Sequence, residues 1–377
     1  MAKRRGNGEG TITRRKDGRW EARYTAQTEN GPKRKVLYGK TRQEVAKKLT
    51  KAMADRDGGL VFDDEKLSLG EYLDRWLNDS VRDNVRPRTL DNYRLQVWQH
   101  IAPALGRIKL KNLSPGHVQR LYRSKLDAGL KPSSVRTIHA ALHRALKQAV
   151  RWGLVPRNVT DAVDPPKLVR EEINALSPEE TRRFLATARG DRLEALYVLA
   201  IHCGPRRGEL LGLRWSDVDL DAGTLRINRQ LQRMRDGSGL VFSEPKNKKA
   251  RRTIRLTKAA SEALRRHRKR QAEEKLYGTL YEDQDLIFAT TIGTPLEPSN
   301  IDNRSFKPLL VEAGLRPIRF HDLRHTCATL MLSQGVNPKI AQERLGHSTI
   351  SQTMDTYSHV LPDMQDRAAA ALESALR

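Results

Sequence analysis

From Ser133 to Trp152 the apolar residues Val135, Ile138, Leu142, Leu146 and Val150 recur every three or four positions. Only an α-helix gathers that spacing onto one face, and a face of that length has to be covered by other helices. Candidates lie just upstream at Leu69–Asp79, Thr89–Ile101 and Pro115–Ala128, so residues 64–160 read as a small helical bundle with basic faces. His139 and His143 sit four apart in the long helix, as a metal pair would. Nothing acidic or thiol-bearing accompanies them, and they read as packing or phosphate-facing histidines.

The pattern changes on both sides of this bundle. Before it, Thr11–Arg14, Trp20–Ala26 and Lys35–Tyr38 are strand-like, with Asp17-Gly18 and Asn30-Gly31 as tight-turn signals. Thr41 and Glu44 then have the spacing of a capping box ahead of Val45, Leu49 and Met53. Residues 1–63 therefore read as a three-stranded sheet plus one helix. The exposed-looking Arg14, Arg15, Arg19, Arg23, Lys33 and Lys35 make that sheet a candidate DNA-facing surface. After the bundle, Pro165 and Pro166 stop any helix, which places a linker at 161–175. Ser177-Pro178-Glu179-Glu180 opens a third segment, 176–377, with an N-cap, a proline at the first helical position and a capping glutamate. It reads as helical except for strand-like runs at Thr224–Asn228, Leu240–Phe242 and Thr253–Leu256. The expected fold class is α+β and mostly helical, with a small antiparallel sheet in the largest segment.

Lysine and arginine number 70 against 45 aspartates and glutamates, a formal charge of +25. Such an excess favours a polyanionic partner, because each cation set beside a phosphate releases condensed counterions. A basic membrane-surface protein would need a basic amphipathic helix or a lipid anchor, and neither is found. The longest apolar run, Leu196–Ile201, is far below membrane-spanning length, and Met1–Gly10 lacks the apolar stretch of a signal peptide. A soluble, cytoplasmic protein is expected. Cys203 and Cys327 are the only cysteines; they read as small core residues, with neither a disulfide framework nor a cysteine metal site.

Chemistry concentrates in four islands of the third segment. No glycine-rich phosphate loop ends in Gly-Lys-Ser/Thr, and no carboxylate cluster stands ready for divalent ions. His321 and His325 have the spacing of a zinc-peptidase helix but lack the glutamate beside the first histidine. In the first island, His202–Trp215, a Gly204-Pro205 turn ends one helix and starts another. It places Arg206 at a helix N-terminus, with Glu209 one turn on to hold it. The second, Ser243–Thr253, lies between two strand-like runs and reads as a basic hairpin tip carrying Lys246, Lys248 and Arg251. In the third, His321-Asp322-Leu323-Arg324-His325-Thr326, His321 and Arg324 share a helical face and can address one phosphate. The fourth is Leu345-Gly346-His347-Ser348, with Ser348 as the N-cap of a helix through Ile350, Met354 and Tyr357. The run Arg265–Arg270 cannot all face one groove, and it reads as a solvated face as readily as a DNA contact. Alone, the first island is equally well a surface ion pair and the second a solvated charged loop, and any single island is a weak signal.

In conjunction the islands resemble the tyrosine recombinase, or phage integrase, family. That pattern is an arginine in a Gly-x-Arg-x-(Gly/Ser)-Glu turn, a hairpin lysine, His-x-x-Arg, Leu-Gly-His and a downstream tyrosine, all present here in order. Pro205 departs from the apolar residue usual at its position. The resemblance implies catalytic roles for Arg206, Lys246, His321, Arg324, His347 and Tyr357, with Glu209 orienting them. Tyr357 would attack a DNA phosphate with His321 as base, while Arg206 and Arg324 hold the charged oxygens. Lys246 would protonate the leaving sugar oxygen and His347 would donate to the phosphate. The phosphotyrosine bond preserves the energy of the broken linkage, so neither metal nor nucleotide is required.

The same resemblance implies arm-site binding by residues 1–63 and core-site binding by 64–160. It implies a tail helix, with Leu361, Met364, Ala368, Leu372 and Leu376 on one face, that docks on a neighbouring protomer. The partners implied are double-stranded attachment sites, bound by a homotetramer when synapsed and by a protein that is monomer or dimer when free. The arrangement also admits a DNA-bending accessory protein or an excision factor, acting at the nucleoid of a bacterial host. Three rivals stay open on residues alone: a resolvase or inversion role, a type IB topoisomerase, and a DNA-binding protein with a decayed site.

Overall fold

The computed structural model describes residues 10–28, 31–57, 66–168, 174–245, 251–277, 280–347, 349–351, 354, 372–373 and 376. The chain divides into two compact units, Met1–Arg170 and Glu171–Arg377.

In the first unit β1 (Thr11–Arg14), β2 (Trp20–Thr28) and β3 (Gly31–Gly39) form an antiparallel sheet in that order. Gly18, at φ 84°, supplies the left-handed residue of the first turn. β3 begins at Gly31 rather than at Lys35, because β2 offers it a complete ladder from Trp20↔Gly39 to Thr28↔Gly31. α1 (Arg42–Asp57) follows, and its Val45 and Leu49 pack fully buried against Ala22 of the sheet. The capping signal is met: the Glu44 amide donates to Thr41 Oγ1 at 3.1 Å, and its carboxylate accepts the Lys40 amide at 2.8 Å.

The same unit holds the helices α2 (Leu69–Arg75), α3 (Pro87–Leu95), α4 (Ala102–Leu105), α5 (Pro115–Asp127) and α6 (Pro132–Arg151). α2 and α3 continue into wide π-type turns, Trp76–Val81 and Gln96–Ile101. The periodic face of α6 is the spine of the core: Val135, Ile138, Leu142 and Leu146 are buried beside Tyr72, Trp76 and Tyr122. His139 and His143 are committed locally. Tyr122 Oη lies 2.6 Å from His139 Nδ1, and His143 Nε2 lies 3.0 Å from Asp161 Oδ1. The stretch after Ala162 stays on this bundle, for Val163 enters its core and Arg136 donates to the Pro166 carbonyl.

The second unit starts with α7 (Pro178–Thr187), where Ser177 and Glu180 close the expected capping box. α8 (Glu194–Cys203) is buried on nearly every side, and α9 (Arg207–Leu211) follows the Gly204-Pro205 turn. Then come β4 (Val218–Asp219), β5 (Thr224–Ile227), β6 (Gln230–Arg233), β7 (Leu240–Ser243) and β8 (Arg252–Arg255). α10 (Lys258–Tyr277), α11 (Pro298–Ile301), α12 (Lys307–Glu312), α13 (Asp322–Ser333) and α14 (Pro338–Leu345) complete it. The fold is thus mostly helical with small antiparallel sheets, as the sequence leads one to expect. No helix among the described residues is long and apolar enough to cross a membrane.

One local expectation fails. The strands flanking the Lys246 segment do not pair with each other, so that segment is not a hairpin tip. β7 pairs with β6, and β8 pairs with β5 in a separate sheet ordered β4-β5-β8. Asp217 explains the break: it accepts from Asn228 Nδ2 at 2.8 Å and pairs with Arg229, drawing the two residues between β5 and β6 out of the ladder. The returning chain leaves the pair at Ser243, opposite Gln230, and rejoins at Arg252, opposite Ile227. The hairpin tip is instead Asp236–Gly239, where Gly237 and Gly239 take positive φ and Ser238 donates to Asp236.

The basic run of α10 also resolves. Arg266 pairs with Glu194, Arg270 donates to the Asp191 and Gly190 carbonyls, and Arg265 donates to the Leu220 carbonyl. His267 is buried against the Ile287 carbonyl, and Arg268 lies over the Trp215 ring. Much of this run is fastening within the unit. Cys203 and Cys327 are buried free thiols, pushed up by burial to about 11 and about 12.

If α6 is the spine of the bundle, Leu142→Ala should cost about 2–5 kcal/mol of unfolding free energy, the range for a fully buried leucine. Urea unfolding of the full chain measures it, and a change below about 1 kcal/mol would contradict this role.

Candidate active site

Three backbone turns of the second unit converge. Gly204, at φ 65°, caps α8 and swings the chain into α9, whose N-cap is Arg206. A Cβ on Gly204 would sit 2.5 Å from Leu345 Cδ2 and 3.0 Å from Cys327 Sγ, so only glycine lets the turn seat against α13 and α14. Gly346, at φ 68°, caps α14 and delivers His347. His321 caps α13 and puts Arg324 in its first turn.

Arg206 Nη1 donates to Glu209 Oε1 at 2.8 Å, its amide donates to Oε2 at 3.0 Å, and Nη2 reaches the Gly346 carbonyl at 3.2 Å. Arg324, 3% exposed, donates from Nη1 to the Gly204 carbonyl at 2.7 Å. Thr326, one helical step on, accepts the Leu176 amide at 2.9 Å, tying α13 to the start of the unit. Glu209 is 2% exposed. Burial alone would raise its carboxyl, but Arg252 and Arg206 outweigh it and hold it below the ordinary range. Arg206, Glu209, Arg324 and His347 are thus brought together, with His321 alongside.

Both imidazoles are strongly depressed. Burial, then Arg324 and Arg206, lowers His347 to about 3. His321 is lowered to about 4 by the protein mass around its inner edge and then by His325, Arg324 and Arg206, although its outer edge meets solvent. His325 meets the His321 ring edge-on, centroids 5.1 Å apart. Such rings are neutral at pH 7 and can accept a proton or donate one N–H.

Lys246, Lys248, Ser348 and Tyr357 lie outside the described residues, as do positions 361, 364 and 368 of the tail. Arg251 is exposed and pairs with Glu244 at 2.5 Å. Its neighbour Arg252 is a functional-looking residue that sequence reasoning passed over. Its side chain is 6% exposed, and it donates to Glu209 Oε2 at 2.9 Å and to the Arg344 carbonyl at 2.7 Å. The signal was strand alternation, since Arg252 shares the inward face with Ile254.

On the N-terminal sheet the register sorts the basic residues by face. Arg23 pairs with Val36, Thr25 with Arg34 and Glu21 with Tyr38, all on the side away from α1. Arg14, Arg15 and Arg19 are exposed at or beside the first turn. Lys33 and Lys35 oppose Ala26 and Tyr24, which face the helix, whereas Arg34 stands on the open face beside Arg23. Glu21, 5% exposed, holds Arg23 at 2.6 Å, and Arg15 lies over the Tyr38 ring.

Comparison with known proteins fits this geometry. Residues 174–364 match the phage integrase family, and residues 68–126 match the phage integrase N-terminal SAM-like domain. A tyrosine recombinase XerC-like protein of Caldanaerobacter subterraneus subsp. tengcongensis is 31% identical over 357 residues, covering 90% of this chain and 91% of that protein. Among solved structures, the Tn1549 transposon integrase in complex with a circular intermediate DNA superposes with a TM-score of 0.69. It is 20% identical and covers 81% of this chain and all of that one. A lambda integrase tetramer bound to a Holliday junction gives 0.57 at 21% identity, covering 90% and 96%. The chain belongs to the phage integrase family of tyrosine recombinases.

The depressed imidazoles carry a pH signature. Between the folded values of about 4 and about 3 and the ordinary 6.5, the unfolded chain binds more protons. This contribution to stability is complete above pH 6.5 and is lost as pH falls towards 4 and below. Urea midpoints should therefore drop between pH 7 and pH 5, and two histidine rings should stay neutral by NMR at pH 5.5. Both rings titrating near 6.5 would refute the arrangement.

Proposed function

We propose that this enzyme is a site-specific recombinase that integrates or excises a mobile element by cutting and rejoining double-stranded DNA through Tyr357. The observation that carries this reading is the convergence of Arg206 and Arg324 beside two neutral imidazoles, in a family whose members act this way. The Tyr357 oxygen bonds to phosphorus while the bond from phosphorus to the sugar 5′ oxygen breaks, leaving a 3′-phosphotyrosine. Arg206 and Arg324 supply charge-assisted donors to the non-bridging oxygens as negative charge builds; each is worth ~3–4 kcal/mol if it behaves like an oxyanion-hole donor. His321, neutral at working pH, takes the tyrosine proton, and His347 gives its N–H to the phosphate. Lys246 protonates the leaving oxygen. Reversal by a new 5′ hydroxyl rejoins the strand.

The DNA partner is supported by the +25 charge and by the DNA complexes of the Tn1549 and lambda integrases. The lambda tetramer on a Holliday junction supports a tetramer on synapsed attachment sites. Accessory bending or excision factors complete the proposed set of partners. We assign residues 64–160 to core-site binding and the open face of the N-terminal sheet to arm sites, in a cytoplasmic, nucleoid-associated enzyme. A type IB topoisomerase would relax plasmid lacking any attachment site, which this reading excludes.

The test uses a nicked duplex spanning the junction where the element carrying the gene meets the chromosome. The enzyme should form a covalent adduct, and Tyr357→Phe should bind the duplex equally well and form none. An adduct with the phenylalanine variant would overturn the assignment. On arm DNA, Arg23→Ala and Arg34→Ala should each lower the salt dependence of binding by about one counterion, while Lys33→Ala and Lys35→Ala do less. Equal effects from all four would contradict the open-face reading.

A further inference from the structure

Arg252 lies next to the loop that carries Lys246, yet its side chain is turned inward and 6% exposed. It cannot be a DNA contact like Arg251. It bonds inside the unit: Nη2 donates to Glu209 Oε2 at 2.9 Å and Nε donates to the Arg344 carbonyl at 2.7 Å, while the guanidinium packs close to Gly346. A Cβ on Gly346 would stand 2.8 Å from Nη1 and 3.1 Å from Cζ, so glycine there makes room for the arginine as well as for the turn.

We propose that Arg252 is a positioning residue for the strand-transfer reaction, acting through Glu209 to present Arg206 and through the Arg344–Gly346 turn to present His347. The inference rests on the recombinase reading above. Glu209 has two oxygens for two arginines. Arg252 occupies Oε2, which leaves the Arg206 guanidinium held to Oε1 by Nη1 alone. Without Arg252 a buried carboxylate would draw Arg206 into a two-pronged pair, away from the phosphate it has to meet. One guanidinium therefore sets the relation of two separate parts of the site, the Glu209–Arg206 pair and the turn that ends α14. Lysine cannot replace it fully, since a single ammonium cannot hold the forked geometry to a carboxylate and a carbonyl at once.

The experiment measures single-turnover cleavage of the nicked junction duplex by wild type, Arg252→Gln and Arg252→Lys, with thermal melts alongside. Each enzyme is assayed on the ordinary phosphodiester and on a duplex whose scissile phosphate is a neutral methylphosphonate, which has far less need of the Arg206 charge. Arg252→Gln should cut the phosphodiester roughly 10- to 100-fold more slowly, the penalty of a misplaced catalytic group. It should lose much less on the methylphosphonate and bind both duplexes within a few-fold of wild type. Arg252→Lys should fold and show a smaller loss with the same preference, so it carries the test if the glutamine variant melts early. Equal losses on both linkages, or no loss in a folded variant, would overturn the proposal. A wild type that forms no adduct at all would instead overturn the recombinase reading, so the two failures are distinguishable.

Discussion

A carboxylate buried with two arginines holds this site together. Glu209 is nearly inaccessible to water, and an isolated charge there would cost several kcal/mol. Arg206 and Arg252 offset that cost from opposite oxygens, and they come from different elements, a helix N-terminus and a strand. Because each guanidinium also bonds a carbonyl of the segment ending α14, the carboxylate joins three chain segments distant in sequence. Two arginines against one carboxylate, with Arg324 beside them, leave the cluster with surplus positive charge.

The two histidines are depressed first by burial and then by the same surplus. Rings buried among arginines lose their proton well below the pH at which they would if paired with carboxylates. Neutral imidazoles suit groups that exchange a single proton with a tyrosine or donate to a phosphate. The approaching polyanion would counter the arginines and raise both values, so binding and proton affinity are coupled.

The remaining basic residues divide by what surrounds them. Arg266 and Arg270 are spent on a carboxylate and on carbonyls within the unit. Arg23 and Arg34 stand on an open sheet face. A net charge of +25 thus does not translate into a uniformly DNA-seeking surface; part of it is internal fastening.

Local order was written plainly in the chain. The face of α6, the Ser177–Glu180 capping box and the Gly204 turn each depend on residues within a few positions of one another, so periodicity and capping chemistry suffice to place them. The turns that bring Arg206, Arg324 and His347 together were legible for the same reason, each being a short run around one helix end. What the sequence could not decide was which strands pair. The segment holding Lys246 read as a hairpin tip because it lies between two strand-like runs, but Asp217, far from both, captures Asn228 and Arg229 and splits the ladder in two. Arg251 and Arg252 are adjacent and identical in type, and Lys33, Arg34 and Lys35 are all basic. Only the strand register, with its alternation of faces, turns one of each group inward or towards the helix and the other outward. The function of a charged side chain is fixed by what it is buried against, and that is a property of tertiary contacts alone.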